Sequence, residues 1–181
     1  MTGIIFSSII KDLKTATESS DHPFRHFTLA TSATDGTPRM RTVVLRDIDD
    51  MLNLMIYTDK RSKKTPHIHN HNSVSLLFTD AKRFLQISIL AKAEIISNNS
   101  ILQTIWEKIP QKSRKDYSTQ LPPGQEISNP AAIDYLEGTH FFSAIKFTPH
   151  HIEYLRLKRP DHIRVAFKKK YNDWNGSYLV P

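Results

Sequence analysis

Apolar side chains recur along this chain at two spacings, and the change from one to the other marks out its elements. Near the start Ile4, Phe6, Ile9, Ile10 and Leu13 fall close to the helical repeat with polar residues between them, which predicts an amphipathic helix over residues 4–17. The breaker cluster Ser19, Ser20, Asp21, His22 and Pro23 ends it. From Phe27 the repeat shortens to two. Residues 27–34 and 39–49 read as strands joined across the hairpin signal Asp35-Gly36, and residues 52–59, 73–80 and 84–97 read as three more. Between the third and fourth strands, residues 60–72 are too polar for a core strand, and Pro66 suits the first turn of a short helix. Helical spacing returns over residues 101–109, with caps offered between Ser97 and Ser100. Residues 118–130 hold three prolines and one glycine and predict a long surface loop. Alternation resumes over 141–157 and 163–170, after which Trp174-Asn175-Gly176 is expected to turn the chain into a last strand over 177–181. Antiparallel strands with short connections predict a mainly β protein with flanking helices, closed as a barrel or a sandwich. One domain over residues 1–181 is expected, with a helical segment at 1–23 and a helix-and-loop insertion at 98–140.

Composition narrows the chemistry. The chain is 39% hydrophobic and 24% charged, ordinary for a folded globule. No apolar run approaches the roughly 18–20 residues that a bilayer crossing needs, and no signal peptide opens the chain, so a cytoplasmic protein away from membranes is the expectation. Without a single cysteine there is no disulfide framework, Fe–S cluster or Cys nucleophile. The formal charge of +7 is uneven: residues 141–181 hold eight Lys/Arg against three Asp/Glu, and residues 36–70 hold seven against four. Basic segments of this kind suit a phosphate-bearing partner, either nucleic acid or a phosphorylated small molecule.

Two segments concentrate the candidate chemistry. In residues 36–46, Gly-Thr-Pro-Arg-Met-Arg-Thr-Val-Val-Leu-Arg, an extended strand puts Arg39 and Arg41 on one face and Thr42, Val44 and Arg46 on the other. Residues 57–64, Tyr-Thr-Asp-Lys-Arg-Ser-Lys-Lys, then run from a strand end into hydroxyls and four cations within five residues. Phosphate monoesters need short charge-assisted bonds of the kind these groups give.

With these two segments, NHNSVSLLF, Gln86 in FLQISILAKAE, and the tail IEYLRLKRPDHIRVAFKKKYNDWNGSYLVP, the chain resembles the pyridoxamine 5'-phosphate oxidase-like FMN-binding split barrels from about residue 24 onward. The resemblance implies an antiparallel split β-barrel that binds FMN without a covalent bond at a homodimer interface. It implies that Arg41, Thr42, Val43, Val44, Leu45 and Arg46 lie along the flavin, with Arg41 directed at its phosphate. Tyr57 and Thr58 would contact the ribityl chain and ring, Ser62, Lys63 and Lys64 the phosphate, and Gln86 the isoalloxazine. Gln120 and Arg164 would come from the partner subunit. The substrate side departs from the family. Where true oxidases hold the substrate phosphate and ring, this chain reads Arg46, Ile105, Ile109, Ser113 and Pro160-Asp161-His162. The resemblance therefore implies a flavin-dependent oxidoreductase with a rebuilt substrate site and an unassigned small-molecule substrate, with His162 as the candidate catalytic group. Two other readings stand beside it: a divergent pyridoxamine/pyridoxine 5'-phosphate oxidase using Arg46, Ser113 and His162, and a flavin-binding or sensing module without turnover.

Other clusters are weaker signals. His67 and His71 fall at i, i+4 around His69 and could face one ion on a helix, but no carboxylate or fourth ligand lies near in sequence, so no metal is expected. Lys168, Lys169 and Lys170 read as a solvated strand end. Phe141, Phe142, Phe147 and Phe167 do not interleave with cations on one exposed sheet, which argues against nucleic acid as the partner.

Overall fold

Alternation over the two central predicted strands produces the longest ladders of the molecule. In the computed structural model, which describes residues 1–171 and 173–181, the chain forms α1 (Thr2–Glu18), β1 (His26–Ser32), β2 (Pro38–Val44), β3 (Asp47–Ile48) and β4 (Leu54–Asp59). It continues with α2 (Lys64–Asn70), β5 (Ser73–Asp80), β6 (Leu85–Ile95), α3 (Asn99–Lys108), α4 (Gln111–Arg114), β7 (Phe142–Arg156), β8 (Ile163–Lys170) and β9 (Asp173–Leu179). All pairings are antiparallel, in the order β2-β1-β5-β6-β7-β4-β3, with β8 and β9 branching from β7. This is the curled sheet of an antiparallel split barrel, as the sequence predicts.

The branching arises from β7, which is 15 residues long. One edge of it ladders with β6. The other carries β4 against Phe142 to Phe147 and β8 against His151 to Arg156. A register shift between Leu90 and Ala91 of β6 falls opposite the gap between these two partners. Bulges of this kind bend a strand and increase its twist, which splays the branches apart.

Leu85, Ile87, Ile89, Ala91 and Ala93 of β6 are buried, as are Val74, Leu76 and Phe78 of β5 and Leu54 and Ile56 of β4. Phe78 sits at the centre, stacked on Phe27 with centroids 4.5 Å apart and edge-on to Phe24 at 5.7 Å. Helix α1 closes one end through Ile9, Leu13 and Ala16. A second, smaller cluster of Ile109, Tyr117, Phe142 and Ala144 lies under α3 and α4.

Three sequence expectations change. Residues 39–49 are not one strand: β2 ends at Val44, and the chain then leaves β1, with Leu45 N–H donating to the Arg25 carbonyl and Arg46 N–H to the Met55 carbonyl of β4. The chain after α3 forms the extra helix α4. Trp174, Asn175 and Gly176 make no turn but lie inside β9, and the chain reverses between Lys170 and Asp173, where Tyr171 has φ 57°. Gly176 is required by close approach instead. A Cβ there would stand 2.7 Å from the Phe167 ring and 2.9 Å from Thr2 Cβ. Trp174 packs on Phe6 of α1, with centroids 5.5 Å apart.

Gly176→Ala should therefore force Phe167 or the start of α1 to move, at a cost of about 1–3 kcal/mol. Urea unfolding checks this: the midpoint falls with the slope unchanged.

Candidate functional site

The handover of the chain from β1 to β4 leaves a seam between β2 and β4, and a cavity of about 270 Å³ opens there. Thr42, Val43, Val44 and Arg46 line it from one side and Tyr57, Thr58, Asp59, Ser62 and Lys64 from the other. Asp116 and Tyr117, in the short helical turn before the long loop, and Pro123 within that loop complete the wall. Sequence reasoning selected most of these residues, and the fold brings them together.

At one end of the cavity Thr58 is the penultimate residue of β4 and Ser62 lies in the turn that leads into α2. Both are buried, with their hydroxyls 3.1 Å apart. Lys64 Nζ donates to Thr58 Oγ1 at 2.9 Å and to Ser62 Oγ at 3.1 Å. Among the described residues no carboxylate lies within ion-pair distance of this ammonium. Burial holds Lys64 below the ordinary lysine value, the Arg41 charge lowers it further, and Asp59 opposes both. Arg41 is fixed by the backbone and by a hydroxyl: its Nη1 donates to the Leu29 carbonyl at 3.2 Å and to Thr31 Oγ1 at 2.7 Å. A half-buried cation beside two buried hydroxyls, with a second cation near, is a donor set suited to a phosphate. The hydroxyl of Thr65, next in the chain, is buried without a hydrogen-bond partner.

Farther along, Arg46 lies 5.6 Å from the Tyr57 ring centroid. Burial raises the Tyr57 phenol, with Asp47 adding to the shift and Arg46 opposing it. Burial likewise raises the Tyr117 phenol, against the Arg46 charge. Neither phenol ionises near neutral pH, so this end of the cavity offers hydroxyl donors and a planar apolar wall.

Other expected residues lie elsewhere. Leu45 is fully buried in the core and supports the site from behind. Lys63 runs past Gly124, where an added Cβ would lie 3.7 Å from its Cε. Gln120 belongs to an adjoining cavity of about 470 Å³ that shares Asp116 and Pro123 with the first. Gln86 stands opposite Leu155, and Leu155 opposite Arg164, so these three form one row across β6, β7 and β8 on the other branch of the sheet. Arg164 Nη2 donates to Glu153 Oε2 at 2.9 Å, and His151 Nε2 lies 3.2 Å from Glu153 Oε1. His162 is exposed in the loop before β8, where its Nδ1 accepts from the Lys158 N–H at 3.1 Å. Ser113 is in α4 and does not line the seam cavity. Of the histidines of this segment, His67 has its Nδ1 3.1 Å from Thr31 Oγ1, and His71 caps α2 with φ −143°.

Several residues here escaped sequence reasoning. Thr31 orients Arg41 from a strand that otherwise reads as core. Asp59, Arg61 and Tyr117 become visible only when the long loop is folded onto the end of β4.

The sequence profile of the family described as pyridoxamine 5'-phosphate oxidase matches residues 22–156. The chain belongs to that family. Among relatives in this family, a pyridoxine/pyridoxamine 5'-phosphate oxidase of Dichelobacter nodosus is 27% identical over 180 residues, covering 86% of this chain and 78% of its own. Two solved structures share the fold, each with a TM-score of 0.79 and 20% identity. One is a pyridoxamine 5'-phosphate oxidase-related, FMN-binding protein of Nostoc punctiforme, with 96% of each chain covered. The other is PhzG of Burkholderia lata in complex with tetrahydrophenazine-1-carboxylic acid, with 97% of this chain and 92% of that one covered.

Two outcomes are expected. Because burial disfavours the Lys64 charge, Lys64→Met should leave the thermal midpoint of the ligand-free protein unchanged or raise it, as calorimetry can check; a fall would contradict the assignment. Glu153 is held below the ordinary carboxylate range, first by Arg164 and then by His151. Its stabilisation is present above the unfolded-state value and lost as pH falls through the folded one. Glu153→Gln should thus flatten the acid side of a stability-against-pH curve from urea unfolding.

Proposed function

We propose that this protein binds FMN at the β2–β4 seam and works as a flavin-dependent oxidoreductase on a small molecule. The observation that carries the proposal is Lys64, a half-buried ammonium bonded to the buried hydroxyls of Thr58 and Ser62 and lacking a carboxylate partner among the described residues. That site asks for an anion, and membership of this family supports FMN as the molecule bearing it. When bound, FMN supplies hydride-accepting redox chemistry. The residues of this chain bind and orient: Thr58, Ser62 and Lys64 hold the phosphate, Arg41 adds its charge, and Tyr57 and Arg46 border the rest of the ligand.

A homodimer fits this reading. Gln86 and Arg164 lie on the β8 branch, away from the seam, so a second copy can present Arg164 and His162 to the cofactor, while Gln120, at the edge of the seam of its own chain, stands where the two copies would meet. His162 is then the candidate catalytic group. The substrate side is apolar where the family resemblance implies phosphate ligands. Ile109 is buried against Tyr117 and Phe142, and Ile105 packs on the same cluster. Losing two polar or cationic contacts of about 1.5–3 kcal/mol each weakens a phosphate ligand by two orders of magnitude or more, which favours a substrate other than the vitamin phosphate.

Purified protein should be yellow and release FMN on denaturation, and FMN added to the apoprotein should raise its melting temperature. Lys64→Met should weaken FMN by about 10- to 100-fold, as expected for a charge-assisted bond of 1.5–3 kcal/mol, and riboflavin far less. Colourless protein with no thermal shift at excess FMN would refute the reading. Turnover of pyridoxine 5'-phosphate at micromolar concentration would restore the vitamin phosphate as substrate.

A further inference from the structure

Arg61 stands among the cations of residues 60–64, yet its bonds go to protein groups on two separate elements. Its Nε donates to Asp59 Oδ1 at 3.1 Å and its Nη2 to Asp59 Oδ2 at 2.7 Å. The same Nη2 reaches the Thr119 carbonyl at 2.8 Å, and Nη1 reaches the Gln120 carbonyl at 3.0 Å. The guanidinium lies flat against Phe141, 3.3 Å from the ring centroid. Asp59 is buried at the end of β4 and also accepts the Arg61 N–H at 2.7 Å.

Both ends of this contact bear on the seam cavity. Asp59 is next to Thr58, and Asp59, Thr58, Ser62 and Lys64 all line it. Thr119 and Gln120 lie between Tyr117 and Pro123, which form its opposite wall. Other ties at this point are the Thr119–Tyr135 bridge, Gln120 N–H to the Asp134 carbonyl at 2.8 Å, and Leu136 N–H to the Ser118 carbonyl at 2.7 Å. Tyr117 has its own link to the end of β4, since Lys60 N–H donates to the Phe141 carbonyl and Phe141 N–H to the Tyr117 carbonyl, each at 2.7 Å, whereas Thr119 and Gln120 reach it through Arg61. A planar fork can bond a carboxylate on one side and two carbonyls on the other, and a point-like ammonium cannot.

We propose that Arg61 is a positioning residue of the cofactor site. It latches the Thr119–Gln120 stretch of the cavity wall to the end of β4, and it neutralises the buried Asp59 carboxylate so that this charge does not oppose a phosphate on Lys64. The ligand in this proposal rests on the FMN reading; the latch does not. Removing Arg61 leaves a buried carboxylate uncompensated beside the phosphate subsite, the costly half of a broken ion pair. The two roles separate in a double variant, because Asp59→Asn removes the stranded charge without restoring the latch.

The test uses the full chain as wild type, Arg61→Met, Asp59→Asn/Arg61→Met and Arg61→Lys. Amide hydrogen exchange is read at Gln120 and Leu136, and FMN and riboflavin affinities by quenching of flavin fluorescence. In Arg61→Met, exchange at both amides should rise about tenfold or more, as local opening becomes easier. FMN affinity should fall about 30-fold and the preference for FMN over riboflavin should shrink, as expected for a stranded charge beside the phosphate. In the double variant that preference should return while exchange stays fast. If Arg61→Met does not fold, Arg61→Lys decides the matter, since it keeps the charge and loses the fork: exchange rises and the preference holds. Exchange at the wild-type rate in both single variants, unchanged FMN affinity in Arg61→Met, or a double variant that recovers both properties each overturns the proposal. If the wild type binds neither flavin, the FMN reading fails, and the exchange rates still decide whether Arg61 is a latch.

Discussion

Much of this molecule follows from one strand having two partners on the same edge. β7 cannot ladder with β4 and β8 along the same residues, so it gives its first half to one and its second half to the other. The bulge at His150 of β7, opposite Leu90 and Ala91 of β6, supplies the bend between them. Once β4 is committed to β7, the chain leaving β2 must cross to β4 to satisfy its backbone, and Arg46 N–H does so on Met55. That crossing keeps β2 and β4 in contact without a full ladder. The cavity between them thus results from strand pairing, with side chains added to its rim.

Cations around the cavity divide into those with partners and those without. Arg61 is held by Asp59, two carbonyls and an aromatic face. Arg41 rests on neutral oxygens, and Lys64 on two hydroxyls. Net charge alone does not make this distinction. Of the four cations in residues 60–64, the one with the most contacts spends its charge on protein groups, while Lys64 has no carboxylate partner among the described residues.

The elements were legible in the sequence where burial is one-sided. The β5 and β6 repeats, the α1 stripe and the Pro66 helix are local patterns, and the structure keeps them within a few residues. The break after Val44 was not legible, because apolar alternation continues through Leu45 while the hydrogen-bond partner changes. Trp174-Asn175-Gly176 misleads for a related reason: glycine marks a turn and a close approach equally, and only the position of Phe167 separates them. At the site, Thr58, Ser62 and Lys64 could be found by residue type and spacing. Asp59 and Arg61 were hidden by proximity to them, since two charges two residues apart read as part of the same basic run. Tyr117 and Thr31 carry no signal at all, because their roles come from contacts with elements distant in sequence.

The uncompensated ammonium of Lys64 also bears on folding. Partial burial disfavours its charge in the ligand-free fold, and an anion that binds only the folded chain would draw the population toward that fold by mass action. Under the FMN reading, the lysine that recognises the ligand would then also couple the stability of the fold to the ligand's concentration.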